Sequence, residues 1–219
     1  MADLDEALEA MARFANNPLT LTIDLHRGHL GSEHATLPLE PNAAAALLAS
    51  VKTFVEASRQ LNIPVVHVVT AYRDRDEILS NPYWRFQHER PGSTRAAIAK
   101  HNLVGSRGVE LMPEIWSKGD RLIATKKRYD CFVATDLEFV LASGAHDSLF
   151  VSGVNTNSCV LATAVAASVR DYAVFVLDDS VDTMLGRELH SAALSVWSAS
   201  FGWTLPTDVA IAALEGERK

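Results

Sequence analysis

Strand-like apolar runs alternate with helix-like segments through most of this chain, and this alternation restricts its fold more than any other feature. The strand-like segments are residues 18–24, 63–71, 120–126, 147–153, 172–179 and 201–206. The helix-like segments are residues 41–62, 134–144, 156–170 and 186–200, with a short helix after the last strand. Strand–helix alternation predicts an α/β fold in which helices cover a parallel sheet.

One segment, residues 72–117, interrupts the alternation. Ten of the thirty residues in 72–101 are charged, and Tyr83, Trp84 and Phe86 are interleaved with them. This composition is typical of a solvated insertion, and long insertions in α/β enzymes often cover the active site. The chain is therefore predicted to form a single domain, residues 1–219, with one insertion.

The charge and composition of the chain exclude several classes of protein and partner. Its formal net charge is −7, so neither nucleic acid nor an anionic membrane is expected as a partner. The acidic N-terminus lacks the features of a signal peptide, and no apolar run reaches the roughly 18–20 residues that span a bilayer. Two cysteines are too few for a disulfide scaffold. We expect a cytoplasmic protein with reduced thiols that acts on a small molecule.

Three reactive side chains stand at the ends of predicted strands. Asp24 closes the first strand, Lys126 closes the third, and Cys159 follows the fourth by one short turn. Ligands bind outside the carboxyl ends of the strands in open parallel sheets. An acid, an amine and a nucleophile are therefore expected to meet at one edge of the sheet.

The segment GVNTNSCV, residues 153–160, suits the activation of a thiol. Cys159 falls in the first turn of a predicted helix, where the positive helix end and free backbone N–H groups favour an anion. Lys126 adds positive charge, and Asp24 would accept the thiol proton. The pattern predicts a thiolate nucleophile, with an oxyanion held by backbone N–H groups of residues 155–159. Taken singly, each of the three residues also fits a purely structural role.

Four segments resemble the isochorismatase-like cysteine hydrolases, a family that includes nicotinamidases, N-carbamoylsarcosine amidase, ureidoacrylate amidase and biuret amidase. They are TIDLH (22–26), residues 108–141, LFVSGVNTNSCVLATAVAA (149–167) and DTMLGRELHSAAL (182–194). The resemblance implies a three-layer, Rossmann-like α/β fold with a six-stranded, mostly parallel sheet, assembled as a homodimer or homotetramer. It implies a catalytic triad of Asp24, Lys126 and Cys159, an oxyanion hole at Asn155 and Cys159, and a cis peptide bond between Val154 and Asn155.

Two departures from the family pattern bear on the activity. The segment HVVTAYRDRD, residues 67–76, lacks the Asp-x-His metal pair that nicotinamidases carry after the second strand, which disfavours nicotinamide and bound zinc. The isochorismate-cleaving members lack the cysteine that this chain has. The chain is predicted to be a cofactor-free, cysteine-dependent amidohydrolase. It would cleave a C–N bond in a small linear amide, carbamoyl or ureido compound through a thioester and release ammonia. The alternatives are a nicotinamidase, an isochorismatase-type hydrolase and a catalytically idle binding module of the same fold.

Substrate contacts are expected from basic and aromatic side chains, since an arginine binds a carboxylate bidentately and an aromatic ring covers a planar ureido group. The predicted substrate-binding residues are His26, Arg73, Trp84, Arg85, Tyr129, Phe132 and Thr156. His26, His29 and His34 are spaced closely enough to ligate a metal, but loop histidines more often contact substrate or solvent, so no metal is predicted. Cys131 and His190 are interpreted as structural.

Overall fold

The structure is a computed structural model that describes residues 4–216. Its strands are β1 (Pro18–Ile23), β2 (Val65–Thr70), β3 (Arg121–Lys126), β4 (Ser148–Val154), β5 (Ala173–Asp182) and β6 (Trp203–Leu205). Its α-helices are α1 (Leu4–Phe14), α2 (Arg27–Leu30), α3 (Pro41–Gln60), α4 (Arg75–Leu79), α5 (Pro82–Glu89), α6 (Leu137–Ser143), α7 (Leu161–Ser168), α8 (Arg187–Ser200) and α9 (Thr207–Gly216). Short 3₁₀ turns lie at Ile98–Lys100, Arg107–Val109 and Pro113–Ile115.

The six strands form one sheet in the order β3-β2-β1-β4-β5-β6, and every neighbouring pair is parallel. The predicted six-stranded α/β fold is confirmed, and the sheet is wholly rather than mostly parallel. The chain winds from β1 to one side of the sheet and from β4 to the other. The carboxyl ends of β1 and β4 therefore lie side by side at the topological switch point, where ligands bind in open α/β sheets.

Alternate side chains of the central strands pack on opposite faces of the sheet, as the two-residue period of a strand requires. Leu149 and Val151 join the core formed with α6, α7 and α8. Phe150 points to the other face, where its ring lies 5.2 Å from that of Phe175 and 5.5 Å from that of Phe54 on α3. Apolar burial on both faces holds β4, and hence the turn that follows it, rigidly in the middle of the molecule.

The Leu/Thr alternation of β1 also follows the two faces of the sheet. Both threonines are fully buried, and each hydroxyl has a partner: Thr20 Oγ1 lies 2.8 Å from Ser58 Oγ, and Thr22 Oγ1 lies 2.6 Å from His67 Nδ1. Because buried hydroxyls that form hydrogen bonds avoid the cost of desolvation, this strand can occupy a central position in spite of its threonines.

Two helix boundaries differ from the predicted ones. The helix predicted for residues 156–170 begins with a π-helical turn, Thr156–Val160, before it continues as α7. Such turns are frequent at functional sites. The helix predicted for residues 134–144 begins only at Leu137. Its first residues form turns because Thr135 Oγ1 accepts a hydrogen bond from the Leu137 N–H and donates one to the Cys131 carbonyl, bonds that compete with helical ones.

The predicted insertion, residues 72–117, contains α4, α5 and the three 3₁₀ turns. An isolated backbone bridge from His26 to Leu111 ties it to the body of the domain, and a second bridge, Tyr72 to Leu103, joins two parts of the insertion itself. Four of its side chains, Tyr72, Ile78, Trp84 and Ile98, pack with Leu37 of the body of the domain in a small buried cluster. None of the helices described between residues 4 and 216 has the length and apolar content needed for a bilayer crossing.

Candidate active site

Three side chains that follow β1, β3 and β4 meet at the carboxyl edge of the sheet. Asp24 comes directly after β1, Lys126 is the last residue of β3, and Cys159 lies in the π-helical turn after β4. Lys126 Nζ lies 2.5 Å from Asp24 Oδ2 and 3.3 Å from Cys159 Sγ. The exposed fractions of the three residues are 1%, 1% and 6%. The structure thus brings together, out of bulk water, the acid, the amine and the thiol that the strand ends predicted.

Asp24 is held in a fixed position by the ends of two strands. Its backbone has a φ of 55°, a left-handed conformation that non-glycine residues seldom adopt. Its N–H donates to Val68 O at 2.8 Å, and its Oδ1 accepts from Thr70 N at 2.8 Å. Thr70 Oγ1 also accepts from Lys126 Nζ at 2.7 Å. Strained residues of this kind persist where their surroundings hold them, and they are concentrated at active sites.

Asp24 and Lys126 form a buried ion pair. Burial acts to raise the pKa of Asp24, but the Lys126 ammonium, with a smaller contribution from the adjacent His26, outweighs it and holds that pKa well below its usual value. Burial acts to lower the pKa of Lys126, but the Asp24 carboxylate outweighs it and raises that pKa well above its usual value. Near neutral pH the pair is therefore a carboxylate and an ammonium.

Cys159 is a protonated thiol at rest. Burial raises its pKa to about 12, although Lys126 acts in the opposite direction. The sequence showed the helix end and the lysine, which favour an anion, but it could not show the desolvation of the sulfur, which acts against one. The ionised Asp24 carboxylate shares the Lys126 ammonium with the sulfur, since Nζ lies 2.5 Å from Oδ2 and 3.3 Å from Sγ, so it is the group in position to take the proton as the sulfur attacks.

The turn that presents Cys159 depends on a glycine at the end of β4. Gly153 has a φ of 130°, and a Cβ at this position would lie 2.1 Å from Ile23 O. The peptide bond that follows one residue later, Val154–Asn155, is cis. Asn155 Oδ1 accepts a hydrogen bond from Met184 N at 2.8 Å. The backbone of the turn is thereby fixed by its neighbours on both sides.

A pocket that is partly open to solvent lies over the three side chains. The insertion supplies Tyr72, Trp84, Arg95, Ile98 and His101 to its lining. The rest of the domain supplies His29, Leu37, Thr70, Arg128, Tyr129, Asn155 and Ser158 in addition to the three converging residues. The insertion therefore covers this edge of the sheet, as its composition predicted.

Two of the predicted substrate contacts, Trp84 and Tyr129, line the pocket and touch each other, with Trp84 Nε1 donating to Tyr129 Oη at 2.8 Å. Arg73 and Arg85, two other predicted contacts, lie outside the pocket lining. Arg73 has an 80% exposed side chain paired with Glu77, and Arg85 lies on the exposed side of α5. Successive residues of a helix point about 100° apart, so Arg85 is turned outward where Trp84 is turned inward.

Phe132 and Thr156 also lie outside the pocket lining, contrary to prediction. Phe132 belongs to the core beneath the guanidinium of Arg170, which lies 4.4 Å from its ring centroid. Thr156 Oγ1 is hydrogen-bonded to His190 Nδ1 at 3.0 Å. His26 lies behind the pocket, with its Nε2 3.6 Å from Asp24 Oδ1, so it contacts the carboxylate instead of a substrate.

The histidine cluster of the structure is His26, His29 and His101, and its third member is not the predicted His34. One ring nitrogen from each of the three lies within 4.8 Å of the others, and all three residues are buried. His34 instead pairs with Glu33, its Nε2 3.9 Å from Glu33 Oε2. Sequence spacing could not indicate His101, because the insertion brings it back to the first loop.

These three histidines are the described residues best able to ligate a metal, and imidazole nitrogens suit zinc and similar divalent ions. The rings of His26 and His29 are stacked at 4.9 Å and 18°, however, so their lone pairs lie in nearly parallel planes and do not converge. Nδ1 of His29 is already hydrogen-bonded to Leu37 O at 2.7 Å. Burial lowers the pKa of His29 to about 3, which leaves it neutral beside the ion pair.

Arg95 and Ser158 were not identified from the sequence as part of the pocket. Arg95 differs from the other basic residues of the insertion in its surroundings, because GSTRAAIA, residues 92–99, contains no other charge. An arginine among small and apolar residues indicates a buried cation, and this pattern would have distinguished Arg95 from the exposed Arg73 and Arg85.

A model of the isochorismatase domain family matches residues 18–209, a stretch that contains all six strands and the three converging side chains. The chain belongs to the isochorismatase family. Within this family, it is 27% identical over 164 residues to the isochorismatase of Bacillus subtilis (strain 168), an alignment that covers 74% of this chain but 48% of that protein. It is 24% identical over 213 residues to the ureidoacrylate amidohydrolase of Serratia proteamaculans (strain 568), covering 91% and 84% of the two chains.

Solved structures of family members have the same architecture. The N-carbamoylsarcosine amidase of Thermoplasma acidophilum matches with a TM-score of 0.68 at 23% identity, over 88% of this chain and 97% of that one. At such identity the likeness shows the shared isochorismatase-like fold.

Proposed function

We propose that this protein is a cysteine-dependent amidohydrolase that hydrolyses a small linear amide, carbamoyl or ureido compound and releases ammonia. The observation that carries the proposal is the position of Lys126 Nζ, 2.5 Å from Asp24 Oδ2 and 3.3 Å from Cys159 Sγ, at the base of a small pocket. Relatives named as a ureidoacrylate amidohydrolase and an N-carbamoylsarcosine amidase support the choice of a C–N bond next to a carbonyl group.

In the first half-reaction, Cys159 Sγ attacks the substrate carbonyl carbon while Asp24 takes the thiol proton. Lys126 stays protonated and holds the carboxylate and the sulfur in place. The backbone N–H groups of Asn155 and Cys159 stabilise the oxyanion. Asp24 then gives its proton to the departing nitrogen, the C–N bond breaks, ammonia leaves, and a thioester on Cys159 remains.

In the second half-reaction, a water molecule attacks the thioester carbonyl and gives a proton to Asp24. The C–S bond breaks, the acid is released, and the proton returns from Asp24 to the sulfur. One carboxylate therefore serves as base and acid in both halves. Because burial raises the pKa of Cys159 and the ion pair with Lys126 lowers that of Asp24, proton transfer during the attack is favoured over transfer before it. The histidine cluster takes no part in these steps.

Ammonia release from a panel of small amides, ureas and N-carbamoyl compounds tests the proposal. The wild type is expected to turn over at least one of these classes. Cys159→Ala is expected to lose at least about 10⁴-fold of that rate, because the nucleophile is gone, while its circular dichroism spectrum stays that of the wild type. Cys131→Ala is the matched control, since Cys131 is a fully buried core thiol outside the pocket lining.

The control variant should keep its activity within a few fold. A Cys159→Ala protein that turns over substrate at the wild-type rate would contradict the mechanism. A wild type that releases no ammonia from any compound of the panel would contradict the proposed activity and favour a binding module of the same fold.

A further inference from the structure

Arg95 is a buried cation without a counter-charge. Its residue is 8% exposed, and it lines the pocket together with Cys159 and Tyr129. Among residues 4–216, no carboxylate forms an ion pair with its guanidinium and no oxygen accepts a hydrogen bond from it. The side-chain contact that it does make is with the ring of Tyr129, whose centroid lies 6.0 Å from the guanidinium carbon.

Two other arginines that are partly buried have their donors occupied. Arg128 also lines the pocket, but its guanidinium donates to Lys127 O at 2.6 Å and to Ser80 Oγ at 2.8 Å, and it lies 5.2 Å from the ring centroid of Trp84. Arg59 donates to both carboxylate oxygens of Asp120, at 3.1 and 2.6 Å. Arg95 therefore differs from them in having its planar donor groups free.

The pocket as a whole carries an excess of positive charge. Asp24 is the acidic residue among its described lining residues, and the Lys126 ammonium neutralises it at 2.5 Å. Arg95 and Arg128 are then left without opposite charge in the lining. Tyr129 Oη accepts the Trp84 indole N–H, so its own hydroxyl proton is free to serve as a second donor beside Arg95.

A desolvated guanidinium with no partner is unfavourable, and a ligand that supplies an anion relieves this cost. The five N–H groups of arginine form a planar fork that matches the two oxygens of a carboxylate. A carboxylate bound there would lie in the same pocket as the Cys159 sulfur, so a single small molecule would reach both groups.

We infer that Arg95 binds a carboxylate of the substrate, and that the substrate is therefore a short N-carbamoyl or ureido acid, with its reactive carbonyl at Cys159 and its carboxylate a few bonds away. The inference rests on the proposed amidohydrolase function and narrows its substrate class. It also separates charged ureido acids from the neutral amides and ureas that the same catalytic residues would accept.

Steady-state kinetics with two matched substrates test the inference. N-carbamoylglycine carries the carboxylate, and (2-hydroxyethyl)urea keeps the ureido group and a similar length without the charge. The wild type is expected to prefer the acid. Arg95→Gln should lower kcat/KM for the acid by roughly a hundredfold, mostly through KM, because the substrate carboxylate loses its guanidinium partner. The same variant should change kcat/KM for the neutral urea by less than about threefold. Arg95→Lys should be intermediate, since it keeps the charge but loses the fork.

Arg85→Gln is the matched control, because Arg85 belongs to the same insertion but is exposed outside the pocket. It should leave the preference unchanged. Equal losses on both substrates in Arg95→Gln, or a wild type that prefers the neutral urea, would overturn the inference.

Binding to the Cys159→Ala protein separates this inference from the proposed chemistry, since binding requires no turnover. Isothermal titration should show that N-carbamoylglycine binds the Cys159→Ala protein and that the added change Arg95→Gln weakens this binding by at least tenfold. That result supports carboxylate binding even if the wild type hydrolyses neither compound. Binding that is absent, or equal in the two proteins, overturns the inference even if Cys159-dependent ammonia release is observed.

Discussion

Replacing Lys126 by methionine tests the ion pair at the centre of the site. Methionine has nearly the length and volume of lysine but carries no charge, so the change leaves the packing largely intact. Lys126 is 1% exposed, and its Nζ bonds to Asp24 Oδ2, Thr70 Oγ1 and Cys159 Sγ. In the variant, the Asp24 carboxylate remains 99% buried without its cation. The loss of stability therefore reports the cost of an unpaired buried charge, not the cost of a cavity.

The expected loss of folding stability in Lys126→Met is large. Removing one partner of a buried pair destabilises a protein by about 3–5 kcal/mol. For a domain of about 200 residues, each kcal/mol lowers Tm by about 2–4 °C, so the expected decrease at pH 7 is about 6–20 °C. Lys52→Met is the matched control: its Nζ lies 3.8 Å from Glu56 Oε1 and its side chain is 51% exposed, so its loss should stay below about 1 kcal/mol.

The loss of stability in Lys126→Met should also decrease as the pH falls. In the wild type, the lowered pKa of Asp24 contributes stability above the unfolded value of about 4, and this is lost as pH falls through the lower folded value. Without Lys126, burial raises the pKa of Asp24 above its unfolded value. The folded variant then takes up a proton as pH falls, so the deficit relative to the wild type should shrink from pH 8 to pH 5.

Thermal unfolding followed by circular dichroism between pH 5 and pH 8 measures both effects. The double variant Asp24→Asn/Lys126→Met, which removes both charges, should be more stable at pH 7 than Lys126→Met alone. The reasoning is refuted if Lys126→Met loses no more stability than Lys52→Met, or if its deficit is the same at every pH.

Two further predictions concern the turn at Cys159. At pH 7, iodoacetamide should alkylate Cys159 at least 100-fold more slowly than it alkylates the thiol of free glutathione, because burial raises the pKa of Cys159 to about 12. The rate should keep rising up to pH 10 without a plateau. Intact mass spectrometry follows the reaction, and labelling of Cys159 at the glutathione rate would contradict the prediction. Gly153→Ala should lower the free energy of unfolding by more than about 2 kcal/mol, since the new Cβ would meet Ile23 O at 2.1 Å in a left-handed conformation. Gly119→Ala, where a Cβ meets nothing within 4 Å, should change urea unfolding little, and equal curves for the two variants would disprove the steric argument.

Much of the fold followed from local patterns. The six strands were predicted within a few residues of their observed bounds because apolar runs of this length, separated by helical periodicity, leave few alternatives to a parallel sheet. Errors arose where side chains compete with backbone hydrogen bonds, as at Thr135, or where a helix begins with a π-helical turn, as at Thr156–Val160. Neither feature has a period that a sequence pattern reveals.

The substrate pocket was less predictable than the three residues beneath it. Trp84 and Tyr129 were identified as pocket residues, whereas Arg73, Arg85, Phe132 and Thr156 lie elsewhere. Composition indicated that the insertion covers the site, but it could not show which side of a short helix faces inward. His101 and Arg95 come to the pocket through long-range packing of the insertion, which leaves no regular spacing in the sequence.

By itself the sequence determined the parallel α/β sheet and the convergence of Asp24, Lys126 and Cys159, because residues at the carboxyl ends of parallel strands must meet at one edge. The tertiary structure alone decided the protonation of that site, since the charge of the sulfur depends on how much water the surrounding chain excludes. It also decided that Arg95 is the cation left free in the pocket, because burial and pairing result from contacts between distant segments.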